Sequence, residues 1–183
     1  TNTFGANAAA LAKFGLAERA REIQLAGARL AREVADTAGR RVYVAGSIGP
    51  ILAPRPPDEQ IESLFAEQAR TLLDGGADFI LFETQPSRQA LETCAAAMRR
   101  LAGAPFVLSF AIVDRCETAS GESIERMLAP LAAGLPAPIA WSMNCGTGPD
   151  GLLSAVEQAV QLTRLPLVVM PNAGLPREVE NRR

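Results

Sequence analysis

Apolar residues follow two alternating patterns along this chain, one with a helical period and one in short continuous runs. Between residues 18 and 37, Ile23, Leu30 and Val34 recur at helical spacing among charged residues, which predicts an amphipathic helix. The next run, residues 42–48, has no polar alternation, as is typical of a strand covered on both faces. The two patterns then repeat. Further strands are predicted over residues 78–83, 106–112, 139–144 and 167–170, and further helices from the N-cap Asp58 to the Gly75-Gly76 pair and over 87–101, 122–133 and 150–163.

The positions of polar residues bear on how these strands are arranged. Strands that alternate with helices imply parallel strands joined by right-handed crossovers, which fits either a doubly wound sheet or a closed barrel. A doubly wound sheet concentrates its functional residues at one or two strand ends. Here polar residues follow six predicted strands, at Asn2 and Thr3, Ser47, Glu83, Ser109, Asn144 and Cys145, and Asn172. The pattern favours an α/β fold that is an incomplete TIM (β/α)8 barrel, with about six strands and five helices present.

Composition limits the binding partners and the reactive groups that this chain can have. The 18 basic and 20 acidic residues give a net charge of −2, and the arginines are spread over several helices, so nucleic acid and membrane surfaces are poor candidates. Three widely spaced cysteines suit a reducing compartment, and we expect a cytoplasmic protein. The absence of histidine removes the commonest general base and metal ligand. Chemistry must therefore come from carboxylate, thiolate, amide or hydroxyl groups.

The first candidate for chemistry is Cys145, in the segment Asn144-Cys145-Gly146-Thr147. The thiol follows a predicted strand and precedes the start of a helix, whose amide groups and positive end favour the thiolate that binds metals or attacks carbon. A small buried structural thiol is the alternative. Cys94 fits that alternative better because its helical stripe faces the predicted core, and Cys116, in a polar loop, is assigned no role.

Two other polar residues are candidates for binding. Glu83 ends an apolar run, where a carboxylate is unfavourable unless it meets a cation or several donors. It is either the partner of a substrate ammonium group or a capping acid. Asn172, between Pro171 and Ala173, orients a substrate or caps a turn. The segment 46–50 lacks the glycine spacing of nucleotide-phosphate loops, which favours a tight loop at the barrel mouth.

Five short motifs occur in order along the chain and at characteristic separations. They are Thr1-Asn2-Thr3-Phe4-Gly5-Ala6-Asn7, Ala45-Gly46-Ser47-Ile48-Gly49-Pro50, Gly76-Ala77-Asp78 with Phe82-Glu83-Thr84, Asn144-Cys145 with Gly148-Pro149, and Pro171-Asn172-Ala173-Gly174-Leu175-Pro176. Together they resemble the homocysteine S-methyltransferase family over essentially the whole chain. The sequence around residues 44–50 and 171–180 is most similar to the N-terminal domain of bacterial bifunctional homocysteine methyltransferase and methylenetetrahydrofolate reductase proteins.

The resemblance implies a barrel that binds zinc through three cysteines, one in an Asn-Cys motif and two in a Gly-Gly-Cys-Cys motif on the last strand. Cys145 matches the first cysteine, and the other two are expected after Arg183. The family's first strand, with its Asp-Gly motif, is expected before residue 1. Residues 1–183 would then be a partial homocysteine-binding barrel domain, truncated at both ends. By the resemblance, Glu83 contacts the amino group of homocysteine, and Asn144 and Asn172 line the pocket.

The implied reaction transfers a methyl group to the zinc-bound thiolate of homocysteine and gives methionine. Zinc keeps that thiol deprotonated near neutral pH, where a free thiol with a pKa of ~8.5 is mostly protonated. The methyl donor is open among a folate through cobalamin, a sulfonium compound and betaine, and the oligomeric state is open too. Two alternatives stand: a metal-free barrel lyase or synthase with Glu83 as general base and Cys145 structural, and a catalytically inactive barrel fragment acting as a scaffold.

Overall fold

Strands and helices alternate along the chain in the order that the apolar pattern predicts. The computed structural model describes residues 1–51, 56–101, 103–113 and 116–174. Its strands are β1 (Ala45–Ile48), β2 (Phe79–Gln85), β3 (Phe106–Phe110), β4 (Ala140–Asn144) and β5 (Leu167–Met170). Its helices are α1 (Ala8–Ala12), α2 (Ala20–Asp36), α3 (Asp58–Asp74), α4 (Arg88–Met98), α5 (Ile124–Leu128) and α6 (Pro149–Leu162), with short 3₁₀ helices at Ala17–Arg19 and Arg99–Leu101.

The five strands form one sheet in which spatial order equals chain order, β1-β2-β3-β4-β5, and every neighbouring pair is parallel. A doubly wound sheet reverses its strand order at a switch point. The sheet formed by the described residues has no such reversal. The predicted α/β class with a parallel sheet is confirmed, and closure of the sheet into a barrel stays a prediction.

The N-terminal segment differs from the sixth strand expected at Asn2 and Thr3. It lies beside β1 but bonds to it through threonine hydroxyls as well as main-chain groups. The terminal amine of Thr1 donates to Ala45 O at 2.8 Å, Ser47 N–H donates to Thr1 Oγ1 at 2.9 Å, and the Thr3 hydroxyl donates to Ser47 O at 2.7 Å. Because hydroxyls take over these bonds, the segment has no regular strand geometry, and the described residues contain five strands.

Helix number and length also depart from the prediction. The described residues contain six α-helices where five were expected, because Asn7 caps the short helix α1 by accepting a bond from Ala10 N–H at 2.9 Å. Helix α3 begins one residue earlier than expected, at Asp58, with Pro57 as N-cap. Helix α5 ends at Leu128, although the apolar pattern runs to residue 133. Pro130 disfavours helical geometry at Ala129, whose ψ is 155°.

One face of the sheet packs against the helices and carries the main apolar core. Phe82 lies at its centre, with its ring centroid 5.5 Å from that of Phe65 on α3 and 6.5 Å from that of Phe106. Cys94 on α4 is fully buried in this core, as its helical stripe predicts. None of the helices in the described residues combines the length and apolarity needed to span a bilayer.

Helix α2 is amphipathic, but its buried face is not the predicted one. Leu30 and Val34 are each 64% exposed, whereas Ala28 and Ala35 are buried. A Cβ atom on Gly75 would lie 2.5 Å from the Ala28 side chain, so α2 approaches the end of α3 very closely. Only small side chains fit at such an approach, which decides the rotation of the helix.

The opposite face of the sheet, here called the inner face, carries small and polar residues. Strand pairing aligns Leu81 with Val107 and Val107 with Ala140, and these three form a small buried apolar cluster. Above them, towards the carboxyl ends of the strands, the pairing aligns Ser109 with Ser142. Because side chains alternate along a strand, Ser47 and Asn144 share this face. The inner face is therefore apolar towards the amino ends of the strands and polar towards their carboxyl ends. The edge formed by these carboxyl ends is here called the rim.

Candidate functional site

A β-bulge shapes the end of β2 at this rim. Phe82 pairs with Leu108, but the next pair is Gln85 with Phe110, so β2 has one more residue than β3 over this stretch. Thr84 in the bulge has a φ of 57°, the left-handed region that β-branched residues rarely adopt. The Gln85 side chain donates to Glu83 O at 3.1 Å. The bulge turns the backbone N–H of Thr84 away from β3 and towards β4.

Asn144, the last residue of β4, bridges three strands through its amide group. Its Oδ1 accepts from Thr84 N–H at 2.9 Å and from the Ser109 hydroxyl at 2.6 Å. Its Nδ2 donates to Thr84 Oγ1 at 2.7 Å and to Cys145 Sγ at 3.3 Å. A backbone N–H can only donate, so Thr84 determines which end of the amide is the oxygen. All four hydrogen-bonding positions of the buried Asn144 amide are used, which gives the side chain a single orientation.

Cys145 follows β4 directly and is half-buried at the rim, as the sequence predicts. Its φ is 61°, and its N–H donates to Met170 O at 3.2 Å. The next residue, Gly146, also has a positive φ, and a Cβ atom there would lie 2.0 Å from Ile112 O. The sharp turn requires glycine, and it directs the chain from the thiol into the start of α6. The Thr84 hydroxyl lies 3.9 Å from Cys145 Sγ, so the sulfur faces two donor groups.

Glu83 immediately precedes Thr84 in the bulge and is half-buried. Alternation along β2 places it on the inner face, two residues beyond Leu81. Within the described part of the chain, its carboxylate has no ion pair and accepts no hydrogen bond. A partly buried carboxylate without a partner is available to a ligand cation.

The loops after β4 and β5 lie side by side and bring Asn172 to the same rim. Asn172 N–H donates to Thr147 O at 3.1 Å, in the turn that leads from Cys145 into α6. Asn172 is half-buried, and its neighbours Pro171 and Ala173 are exposed. The end of this motif, Leu175-Pro176, lies outside the described residues. The loop bonds place Asn172 beside the turn after Cys145.

The loop after β3 is tied to the start of α4 by Glu122. Its carboxylate accepts from Arg88 N–H at 2.9 Å, from Arg126 Nε at 2.9 Å and from the Ser120 hydroxyl at 3.0 Å. Burial acts to raise the pKa of Glu122, but these hydrogen bonds outweigh it and hold the pKa below its ordinary value. The Ser120 hydroxyl also lies 2.9 Å from Pro86 O, just past β2. The ends of β2 and β3 are thus held together outside the rim.

A family model described as homocysteine S-methyltransferase matches residues 1–183. The chain belongs to the homocysteine S-methyltransferase family. Among curated proteins, it is 34% identical to a methionine synthase of Mycobacterium tuberculosis and 32% identical to one of Mycobacterium leprae, over 96% of this chain in each case. It spans 16% and 15% of the lengths of those relatives. The predicted family is confirmed, and the finer likeness to the bifunctional reductase proteins stays a prediction.

Solved structures agree with the family. The oxidized form of the homocysteine methyltransferase MmuM from Escherichia coli has a TM-score of 0.81 and 27% identity, over 95% of this chain and 65% of that one. Its metallated form has a TM-score of 0.80 and 26% identity, over 95% of this chain and 66% of that one. The fold of this chain is therefore similar to that of the matched part of the enzyme.

The residues at the rim can be compared with the zinc ligands that the family resemblance implies. Cys145 fits one zinc ligand, because its sulfur lies at the rim and faces hydrogen-bond donors, as thiolate ligands commonly do. In the described residues, no group of three or more cysteine, aspartate or glutamate side chains lies close enough to hold a metal ion. Among the described residues, Cys145 is the one cysteine in the rim cluster with Thr84 and Asn144.

The sequence pattern predicts Cys145, Asn144, Glu83 and Asn172 as site residues, but it predicts no role for Thr84. The structure brings Thr84, Asn144 and Cys145 into direct contact and adds Ser109 beneath them. The trace of Thr84 in the sequence is its place in the polar triplet Glu83-Thr84-Gln85, which follows the apolar run of β2. The bulge that gives Thr84 its contacts is a property of the paired strands, and it has no signature in the sequence of β2 alone.

Proposed function

We propose that the protein containing this chain transfers a methyl group to the thiol of homocysteine, giving methionine. The observation that carries the proposal is the rim cluster of Thr84, Asn144 and Cys145, in a chain of this family. A thiol that is oriented by two donors, next to an unpartnered carboxylate, suits a substrate with both a thiol and an ammonium group. The proposal includes closure of the sheet into a barrel, with residues 1–183 as part of its homocysteine-binding domain.

In this proposal Cys145 is one of three zinc thiolates, and the other two come from the Gly-Gly-Cys-Cys motif that the resemblance places after Arg183. Zinc, when bound, keeps a coordinated thiol in its thiolate form near neutral pH. Asn144 holds the Cys145 sulfur in one orientation through its fully used amide. A folate or cobalamin methyl donor and a cytoplasmic location stay predictions.

Glu83 binds the ammonium group of homocysteine in this proposal, and Asn172 borders the same pocket. Fixing the amino acid at this end would leave its thiol pointing towards Cys145, so that the sulfur could bond to the methyl carbon in line as the bond to the methyl donor breaks and the demethylated donor leaves. The small apolar cluster of Leu81, Val107 and Ala140 closes the inner face below the rim and excludes water. These residues bind, orient and shield, and none of them needs to act as a base.

The test is zinc stoichiometry in the full-length protein. We expect Cys145→Ser to lose zinc and activity together, while Cys116→Ser, another half-buried free cysteine in a rim loop, keeps both. Full zinc occupancy in Cys145→Ser would overturn the assignment of Cys145 as a ligand, whereas absence of zinc from the natural full-length protein would favour the metal-free lyase or synthase. Residues 1–183 alone should bind zinc weakly, because a zinc site normally takes three protein ligands.

A further inference from the structure

Thr84 combines an unfavourable backbone conformation with contacts that depend on that conformation. Its φ of 57° is one that a β-branched side chain adopts only under constraint from its surroundings. Sharp turns elsewhere in the chain use glycine for such angles, as at Gly76 and Gly146. Glycine at position 84 would avoid this strain. The presence of threonine instead suggests that its side chain has a function at the rim.

The strained conformation gives Thr84 two bonds that a regular strand would not allow. Its N–H donates across to Asn144 Oδ1 at 2.9 Å instead of pairing with β3. Its hydroxyl accepts from Asn144 Nδ2 at 2.7 Å and lies 3.9 Å from Cys145 Sγ. The hydroxyl oxygen is therefore occupied by the amide, and its proton is directed to the sulfur.

We propose that Thr84 is a positioning residue for the Cys145 sulfur, acting together with Asn144. The three side chains form a closed ring: the amide donates to the hydroxyl, and both the amide and the hydroxyl donate to the sulfur. The ring sets the rotamer of Cys145 before any metal or substrate arrives. This inference rests on the proposed function, because it gives the oriented sulfur the part of a zinc ligand.

Three substitutions at Thr84 remove different parts of this arrangement. Thr84→Ser keeps the hydroxyl and the backbone N–H, so the ring survives. Thr84→Val keeps the shape and the β-branch but removes the hydroxyl. Thr84→Gly also removes the hydroxyl but relieves the strained backbone angle. These three variants separate the hydroxyl from the strain and from the bulk of the side chain.

The experiment measures zinc affinity, by competition with a chromophoric chelator, together with kcat, KM for homocysteine and melting temperature in the full-length protein. We expect Thr84→Val and Thr84→Gly to bind zinc about 10-fold to 100-fold more weakly, as for other residues that orient metal ligands. Their kcat should fall while KM changes less than about twofold, since no homocysteine contact is removed. Thr84→Ser should stay within about threefold of the natural protein, and Thr84→Gly should keep its melting temperature.

Two results would overturn the proposal. Natural zinc affinity in Thr84→Val or Thr84→Gly would show that the hydroxyl does not position the sulfur. Zinc affinity that follows melting temperature across the three variants would show a role in folding only. Cys145→Ser distinguishes this failure from a failure of the proposed function. If Cys145→Ser loses zinc and Thr84→Val keeps it, only the role of Thr84 falls, whereas zinc retained in Cys145→Ser removes both.

Discussion

The two faces of the sheet come from the same strands but differ in polarity and in the regularity of their backbone. The helix-facing side of β2 to β4 is regular and apolar, and its side chains interlock around Phe82. The rim of the inner face is polar and irregular. In the described residues, the three non-glycine residues with positive φ are Thr84 in the bulge of β2, Cys116 in the loop after β3 and Cys145 directly after β4. Strained backbone angles are therefore concentrated at the end of the sheet where we expect ligands to bind, as is common at functional sites.

The two faces of a strand therefore contribute to different properties, one to stability and the other to the geometry of the candidate site. Side chains on the helix-facing side contribute mainly to the free energy of unfolding, because they bury apolar area. Side chains at the rim contribute mainly to the position of Cys145 and Glu83, and their bonds are directional. Substitutions on the two faces should therefore change different measured quantities.

The largest expected effect is on the helix-facing side. Phe82→Ala should lower the free energy of unfolding by about 3–5 kcal/mol, because Phe82 is fully buried between Phe65 and Phe106. Urea unfolding would measure it, and Phe82→Leu should show a much smaller loss. A loss below about 1 kcal/mol for the alanine variant would contradict the central place of Phe82 in the core.

Next in size is Glu83→Gln at the rim of the full-length protein. Loss of a charge-assisted bond to the homocysteine ammonium is worth roughly 1.5–3 kcal/mol, so KM for homocysteine should rise about 10-fold to 150-fold. Zinc content and melting temperature should not change. Glu157→Gln, on the exposed side of α6, is the matched control. Unchanged homocysteine kinetics in Glu83→Gln would remove the ammonium assignment.

Ser109→Ala tests the support beneath the rim cluster. The substitution removes one of the two donors to Asn144 Oδ1 and leaves a buried acceptor partly unsatisfied. We expect a loss of about 1–2 kcal/mol in unfolding free energy, with weaker zinc binding in the full-length protein. Ser154→Ala on α6, an exposed serine, is the control. If zinc affinity stayed unchanged, Asn144 would not need Ser109 for its orientation.

The smallest effect concerns pH and Glu122. Because its pKa is lowered in the folded protein, the unfolded chain binds more protons between the two pKa values, and stability rises with pH there. The contribution is fully present above the unfolded pKa of ~4.3 and is lost as the pH falls through the folded value. Glu122→Gln should cost about 1 kcal/mol at neutral pH, since its partner Arg126 is 67% exposed.

The measurement for Glu122 is the difference in unfolding free energy between the natural protein and Glu122→Gln as a function of pH. The difference should shrink towards zero at acid pH, where both proteins carry a neutral side chain at this position. A difference that persists unchanged at acid pH would mean that bonds other than those to the carboxylate are responsible. Glu157→Gln should show little difference at any pH.

Local patterns predicted most of the helix-facing side. The alternation of strands and helices, the burial of Cys94 and the place of Cys145 after β4 follow from apolar periodicity and from polar residues at strand ends. The errors have local physical reasons too. Pro130 shortens α5, Asn7 caps the unpredicted α1, and the hydroxyls of Thr1 and Thr3 replace backbone bonds beside β1.

The sequence by itself determined the α/β class, the family and the four rim candidates Glu83, Asn144, Cys145 and Asn172, because these depend on periodicity and on motifs of a few residues. The tertiary structure alone decided how the candidates meet. Asn144 bonds to Thr84 and Ser109, which are 60 and 35 residues away along the chain. Such contacts depend on strand register and on the bulge in β2, and both arise only when the strands pair. A period of two or 3.6 residues carries no information about them.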